Sequence, residues 1–323
     1  MNSPAGSRRS QFGFHFLAAA LPLFWRMEWK GKVLRGLAMV AVLSEMSLLT
    51  GCTGMQFVNA TVVMNSAVWP NHYTRSLNHA YGTDPRQKLD VYRPQKITPH
   101  TKVVIFFYGG TWRCGSKHDY RFVGEALTSR GFIAVVPDYR LYPQVKFPAF
   151  IEDGAATVRW VHDHIAEFGG DPAQIYLMGH SAGSHTAALL TVDAHYLQAV
   201  GLGRKTIRAT ATMSGVYDFD SNKWDPEVFG PLTNAAPMQP PPSPMTFVDG
   251  QEPPMLLLHG MKDWIVSPQN TLRLTERIRQ SGGEVEQITY AHRGHVGMLV
   301  ALSSPNRWLD PVLDDVAKFF NRH

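Results

Sequence analysis

Ser181 stands in the pentapeptide Gly179-His180-Ser181-Ala182-Gly183, between two apolar runs. A serine hydroxyl is a weak nucleophile at neutral pH and needs a base beside it. Histidine can take the proton and return it to a leaving group. A carboxylate can then orient the ring and stabilise the imidazolium. Both types follow in the chain: Asp263 in His259-Gly260-Met261-Lys262-Asp263-Trp264, and His295 in Ala291-His292-Arg293-Gly294-His295. Such chemistry also needs backbone N–H groups for a developing oxyanion. Tyr108-Gly109-Gly110-Thr111-Trp112 offers Gly109 and Gly110. The N–H of Ala182, just after the serine, is the natural second donor. One such donor contributes on the order of 3 kcal/mol to a transition state.

These groups lie far apart in the chain, so regular elements must bring them to one edge. Lys88 to Tyr92, Val103 to Tyr108, Phe132 to Pro137, Ile175 to Met178, Ile207 to Met213, Met255 to Leu258 and Val285 to Tyr290 read as strands. Val103 to Tyr108 is a continuous apolar run of β-branched and aromatic residues ending at a glycine pair, as a buried strand does. Between them, helices are predicted over about 120–129, over a segment with Ile151, Ala155, Val158, Ile165 and Phe168 at helical spacing, over Ala182 to Leu190 and over Leu272 to Gln280. A last helix is expected to start with Asp310 as its cap and Pro311 in its first turn, burying Val312, Val316, Phe319 and Phe320. Alternating strands and helices imply right-handed crossovers. The expected class is α/β, with a mostly parallel central sheet and helices on both faces.

In this arrangement Ser181 lies on a sharp turn from strand to helix, where a Cβ in place of either flanking glycine would strike its neighbours. Asp263 and His295 lie on the exit loops of two successive strands. Residues Gly230 to Pro254 carry prolines at 231, 237, 240, 241, 242, 244, 253 and 254. So proline-rich a segment is neither a regular helix nor a central strand. It is too long for a plain connector and is expected to make an excursion over one end of the sheet.

Fourteen histidines are present. His292 competes with His295 for the base; His295 is preferred because Gly294 gives its loop freedom to bring the ring over the serine. His180 is expected to pack below the turn, His259 to support the Asp263 loop, and His162, His164 and His185 to lie on helices as surface or packing residues. No histidine pair shows metal-site spacing with a nearby carboxylate, so no metal and no cofactor is expected. The two cysteines, Cys52 and Cys114, cannot form a disulfide framework; Cys114 reads as a packing thiol.

From about Tyr73 to Phe320 the chain resembles an α/β-hydrolase of the esterase/lipase type, related to hormone-sensitive lipases and feruloyl-esterase-like carboxylesterases. The resemblance rests on Gly109-Gly110 with Trp112, Pro137-Asp138-Tyr139-Arg140-Leu141, Phe147-Pro148, Gly170-Asp171-Pro172, the Ser181 pentapeptide, the Asp263 loop and Gly294-His295. It implies the α/β-hydrolase fold, with catalytic Ser181, Asp263 and His295, an oxyanion hole at Gly109, Gly110 and Ala182, a structural role for Asp138-Tyr139-Arg140, and a short cap formed by the proline-rich segment. One departure is visible: such enzymes usually carry a histidine before the paired glycines, and this chain has Tyr108. The activity implied is hydrolysis of small or medium acyl esters. An amidase or peptidase would use the same parts. From another class, an envelope lipoprotein could use the fold for binding alone.

The 31 basic and 26 acidic residues are unevenly placed. Residues 1–51 hold six basic residues and two acidic ones, leaving 25 against 24 in the rest. A nucleic-acid partner would require a basic stripe on the folded body, so none is expected. Two apolar stretches, Phe12 to Trp25 and Val33 to Leu49, follow basic residues in the manner of a secretory signal. The second ends Leu49-Thr50-Gly51-Cys52, which resembles a bacterial lipobox. Cys52 is then the expected lipidation site, holding the protein to the membrane at the periplasmic face of the cell envelope. Initiation at Met27 would give such a signal a conventional length. A buried Cys52 thiol after an uncleaved anchor, or a cytoplasmic protein, remains the alternative. The expected organisation is a leader over 1–51, a linker over 52–72 and one catalytic domain over 73–323.

Overall fold

The computed structural model describes residues 53–68, 72–219, 225–230 and 242–323. The leader, Cys52 and the prolines at 231, 237, 240 and 241 lie outside the described residues. Eight strands form one sheet: β1 (Tyr73–Ala80), β2 (Lys88–Pro94), β3 (Thr101–Phe107), β4 (Ile133–Pro137), β5 (Gly170–His180), β6 (Ile207–Met213), β7 (Met255–Gly260) and β8 (Val285–Tyr290). Their order is β1-β2-β4-β3-β5-β6-β7-β8. The β1–β2 and β2–β4 pairs are antiparallel and all others parallel. All residues of β4 and β7 are buried, as strands covered on both faces must be.

The helices are α1 (Thr53–Ser66), α2 (Arg121–Thr128), α3 (Ala149–His164), α4 (Ala182–Val192), α5 (Ala194–Ala199), α6 (Pro226–Phe229), α7 (Gln269–Gln280), α8 (His295–Val300) and α9 (Val312–Arg322). The apolar spacing that predicts α3 and α9 is the spacing of their buried faces. Ile151, Ala155 and Val158 are buried in α3, and Val312, Val316, Phe319 and Phe320 in α9. Gly169, at φ 83°, closes the turn after α3 in the left-handed region.

Three expectations need correction, and one strand was missed. Residues 53–66 form helix α1 rather than linker. It docks on the body through buried Met64 and through Asn65, whose amide donates to the His118 carbonyl (3.0 Å) and accepts from the Phe122 N–H (3.0 Å). Strand β1 was not expected; its pattern is mostly exposed, as suits an antiparallel edge. Helix α9 has Pro311, not Asp310, at its N-cap, because the Asp310 carboxylate is held by Arg293. His295 opens α8 instead of lying on a loop. Of the proline-rich stretch, the described part includes a 3₁₀ turn at Pro244–Phe247.

The registers bring the working ends of the strands together. Phe107 pairs with Gly179, His180 with Met213, Met213 with Leu258 and Gly260 with Tyr290. The carboxyl ends of β3, β5, β7 and β8 therefore meet at one edge. From β3 the chain passes to β4 on one side and then to β5 on the other, the kind of switch point where open α/β sheets bind ligands. Among the described residues, no helix is long and apolar enough to cross a membrane.

Candidate active site

The turn between β5 and α4 is tight because its neighbours leave no room. A Cβ at Gly179 would run into the Gly183 carbonyl, and one at Gly183 into the carbonyls of Phe107 and Tyr108. Ser181 is forced to φ 55°, ψ −121°, a region costing on the order of 1–3 kcal/mol that only a well-braced turn sustains. The bracing comes from β6: Ser181 N–H donates to the Met213 carbonyl (3.0 Å), and Ser184 Oγ donates to that same carbonyl (2.8 Å). Ser181 thus lines a cavity of about 590 Å³.

Asp263 lines the same cavity from the loop after β7. One carboxylate oxygen accepts the N–H groups of Ile265 (3.0 Å) and Val266 (2.9 Å). The other lies 2.7 Å from His295 Nδ1 and 3.3 Å from His259 Nε2. Burial alone would raise this carboxyl, but the bonds from His259, His295 and Val266 outweigh it and hold it far below the usual carboxylate range. The charged oxygen facing His295 Nδ1 fixes the proton there, so the lone pair of the neutral ring is at Nε2. The His295 ring also lies 4.7 Å from that of His180, the residue next to Ser181. Ser181 and Asp263 thus line one cavity and His295 pairs with Asp263, whereas His292 is exposed.

The loop after β3 closes the other side. Gly109 lies so near the serine that an added Cβ would stand 2.9 Å from Ser181 Cβ. Gly110, at φ 127°, turns the chain where a side chain would strike Cys114. From this loop the cavity lining is Thr111 and Trp112, both at positive φ; across it lies Ala182. Thr111 was absent from the residues singled out by sequence, although it directly follows the glycine pair. Cys114 is exposed rather than packed, its thiol donating to the Gly110 carbonyl (3.4 Å).

Tyr108 takes the place of the usual histidine and anchors the loop from below. Its ring stacks between Tyr120 (5.0 Å) and Tyr139 (4.7 Å). Its hydroxyl donates to Asp138 (2.7 Å) and accepts from Arg86 (2.9 Å). Asp138 also accepts the Lys117 N–H (2.7 Å), while Arg140 pairs with buried Asp153 (2.7 Å), so the Asp138-Tyr139-Arg140 turn is structural.

His259 supports the Asp263 loop as expected, donating from Nε2 to the Val266 carbonyl (3.0 Å). His185 is buried among Trp112, Phe219 and Phe229, with Nε2 donating to the Pro242 carbonyl (2.7 Å). Phe219, Phe229 and the highly exposed Trp264 also line the cavity. The sequence carried no sign of their convergence. Among the described residues, no group of three or more His, Cys, Asp or Glu could hold a metal ion.

A hydroxyl on a strained turn, a neutral imidazole with its lone pair at Nε2 and an ionised buried carboxylate are the groups that nucleophilic acyl transfer uses. The chain is 30% identical over 257 residues to a probable isoprenylcysteine alpha-carbonyl methylesterase of Arabidopsis thaliana, covering 73% of this chain and 54% of the relative. It is 30% identical over 243 residues to esterase LipC of Mycobacterium tuberculosis, covering 67% of this chain and 58% of the relative. The chain therefore spans little more than half the length of these relatives. Among solved structures, a thermophilic esterase of Thermogutta terrifontis bound to propionate superposes with a TM-score of 0.64 at 24% identity, over 78% of this chain and 94% of that one. The shared architecture is the α/β-hydrolase fold. The BD-FAE family pattern matches residues 89–278, and the chain belongs to that family.

Proposed function

We propose that the protein is a serine carboxylic-ester hydrolase. Ser181 Oγ attacks the ester carbonyl carbon while His295 Nε2 takes its proton, and Asp263 stabilises the imidazolium. The carbonyl oxygen becomes an oxyanion held by the N–H of Ala182 and those of the Gly109–Thr111 turn. As the carbonyl re-forms, the C–O bond to the alcohol breaks, and His295 returns the proton to the departing oxygen. Water, deprotonated by the same ring, then attacks the acyl-enzyme and frees the acid. The cycle needs no cofactor.

The carrying observation is the buried 2.7 Å contact between His295 Nδ1 and the Asp263 carboxylate, beside the cavity that Ser181 lines. The names of the relatives, esterase and methylesterase, favour an ester over an amide. A cavity of about 590 Å³, walled by Trp112, Phe219 and Phe229, suits a small or medium apolar acyl group. The test is a panel of nitrophenyl esters from acetyl to palmitoyl. Wild type should hydrolyse the shorter esters and Ser181→Ala should lose at least about a thousandfold in kcat; equal activity in the two would refute the reading.

The segment Leu49-Thr50-Gly51-Cys52 supports a second element of this reading, lipidation of Cys52 and attachment to the membrane at the bacterial cell envelope. Labelled palmitate should enter the wild-type protein and not Cys52→Ser; equal labelling would overturn it.

A further inference from the structure

The residue before the serine is more than filler of the turn. The His180 side chain is fully buried, and its Nε2 lies 3.0 Å from the main-chain carbonyl of His295. A carbonyl oxygen only accepts, so Nε2 carries the proton and donates it. On its other side His180 meets the loop after β3. A Cβ on Gly109 would stand 3.1 Å from the His180 carbonyl oxygen and 3.2 Å from its Nδ1. One ring therefore touches the segment bearing the base and the glycine turn, and its own main chain carries the serine. His295 opens a helix of only six residues, and Asp263 fixes its ring but not its main chain.

We propose that His180 is a positioning residue, whose Nε2–H bond to the His295 carbonyl sets the base relative to Ser181. This rests on the hydrolase reading above. Burial and the adjacent His295 ring depress the pKa of His180 to about 3, so it stays neutral where the enzyme would work. A charged ring 4.7 Å from His295 would oppose the imidazolium that catalysis forms.

The test compares His180→Phe, which keeps a ring and removes the donor, with His180→Gln, whose amide N–H can replace it. A misplaced base slows the chemical step without weakening binding, and about 1 Å can cost a hundredfold. His180→Phe should therefore lower kcat on nitrophenyl acetate by tenfold or more, with KM within about twofold. His180→Gln should stay within about threefold of wild type. The rate at which a small fluorophosphonate labels Ser181 should follow the same order. A Phe variant as fast as wild type, or a Gln variant as slow as Phe, would overturn the proposal. If the Phe variant does not fold, ring-¹⁵N spectra of wild type decide: Nε2–H on His180 supports the bond, and a proton at Nδ1 alone overturns it. Wild type that fluorophosphonate labels no faster than Ser181→Ala would remove the hydrolase reading and this one with it. Labelled wild type with an equally fast Phe variant would remove only the role of His180.

Discussion

Replacing Asp263 with asparagine keeps shape and volume but sets donors against donors. Two backbone N–H groups, from Ile265 and Val266, point at one carboxylate oxygen. The other oxygen faces His295 Nδ1 and His259 Nε2. An amide has a single oxygen. If that oxygen serves the backbone, the NH₂ faces both rings, and His295 must move its proton to Nε2 to accept from it. The ring then has no lone pair for the serine proton. His259 cannot comply as easily, because the Val266 carbonyl holds its proton at Nε2. If the oxygen serves His295 instead, the NH₂ collides with two backbone donors and the loop must shift. Loss of the productive tautomer at such a position costs about 10³–10⁴ in kcat, or about 4–5.5 kcal/mol in the transition state. The unmet donors add on the order of 1–3 kcal/mol of destabilisation. Steady-state kinetics on nitrophenyl butyrate, with circular dichroism to verify folding, provide the assay. A folded Asp263→Asn variant that loses less than tenfold in kcat would show that Asp263 does not set the His295 tautomer.

Gly183→Ala should lose about 5–10 °C of Tm or fail to fold, because the new methyl meets rigid main chain at Phe107; an unchanged Tm would contradict the packing of the turn. Tyr108→Phe removes a hydroxyl bonded to Asp138 and Arg86, so it should destabilise by about 1–3 kcal/mol in urea titration. Acid should weaken the fold through His180 and His185, whose burial depresses their pKa values to about 3 and about 4. As pH falls below the unfolded value of about 6.5, the unfolded chain takes up protons that the folded rings refuse. Stability should then drop by up to about 1.4 kcal/mol per pH unit for each ring until the folded values are reached. Asp263, depressed in the opposite chemical sense, adds a loss only below about pH 3.9, where the unfolded carboxylate protonates. A urea midpoint independent of pH between 7 and 4.5 would contradict the histidine assignment.

The parts legible in the sequence were those set by local chemistry. β6 and β8 were bounded correctly, and the serine turn was recognisable because its two glycines answer a steric need within five residues. Gly294 was enough to favour His295 over the exposed His292. What escaped depends on distant partners. β1 has no buried stripe because it is an edge strand, so Tyr73–Ala80 carried no strand signal. Helix α1 owes its place to contacts such as Asn65 with His118 and Phe122, more than fifty residues away. Asp310 has the composition of a cap, yet Arg293 claims its carboxylate. The bond from His180 to His295 spans 115 positions, and no local pattern announces it.

The most direct measurement is intact-protein mass spectrometry after reaction with a fluorophosphonate, followed by mapping of the modified peptide. One adduct on Ser181 is expected in wild type, none in Ser181→Ala, and labelling slowed by several orders of magnitude in His295→Ala. An adduct on another residue, or labelling at the wild-type rate without His295, would contradict it.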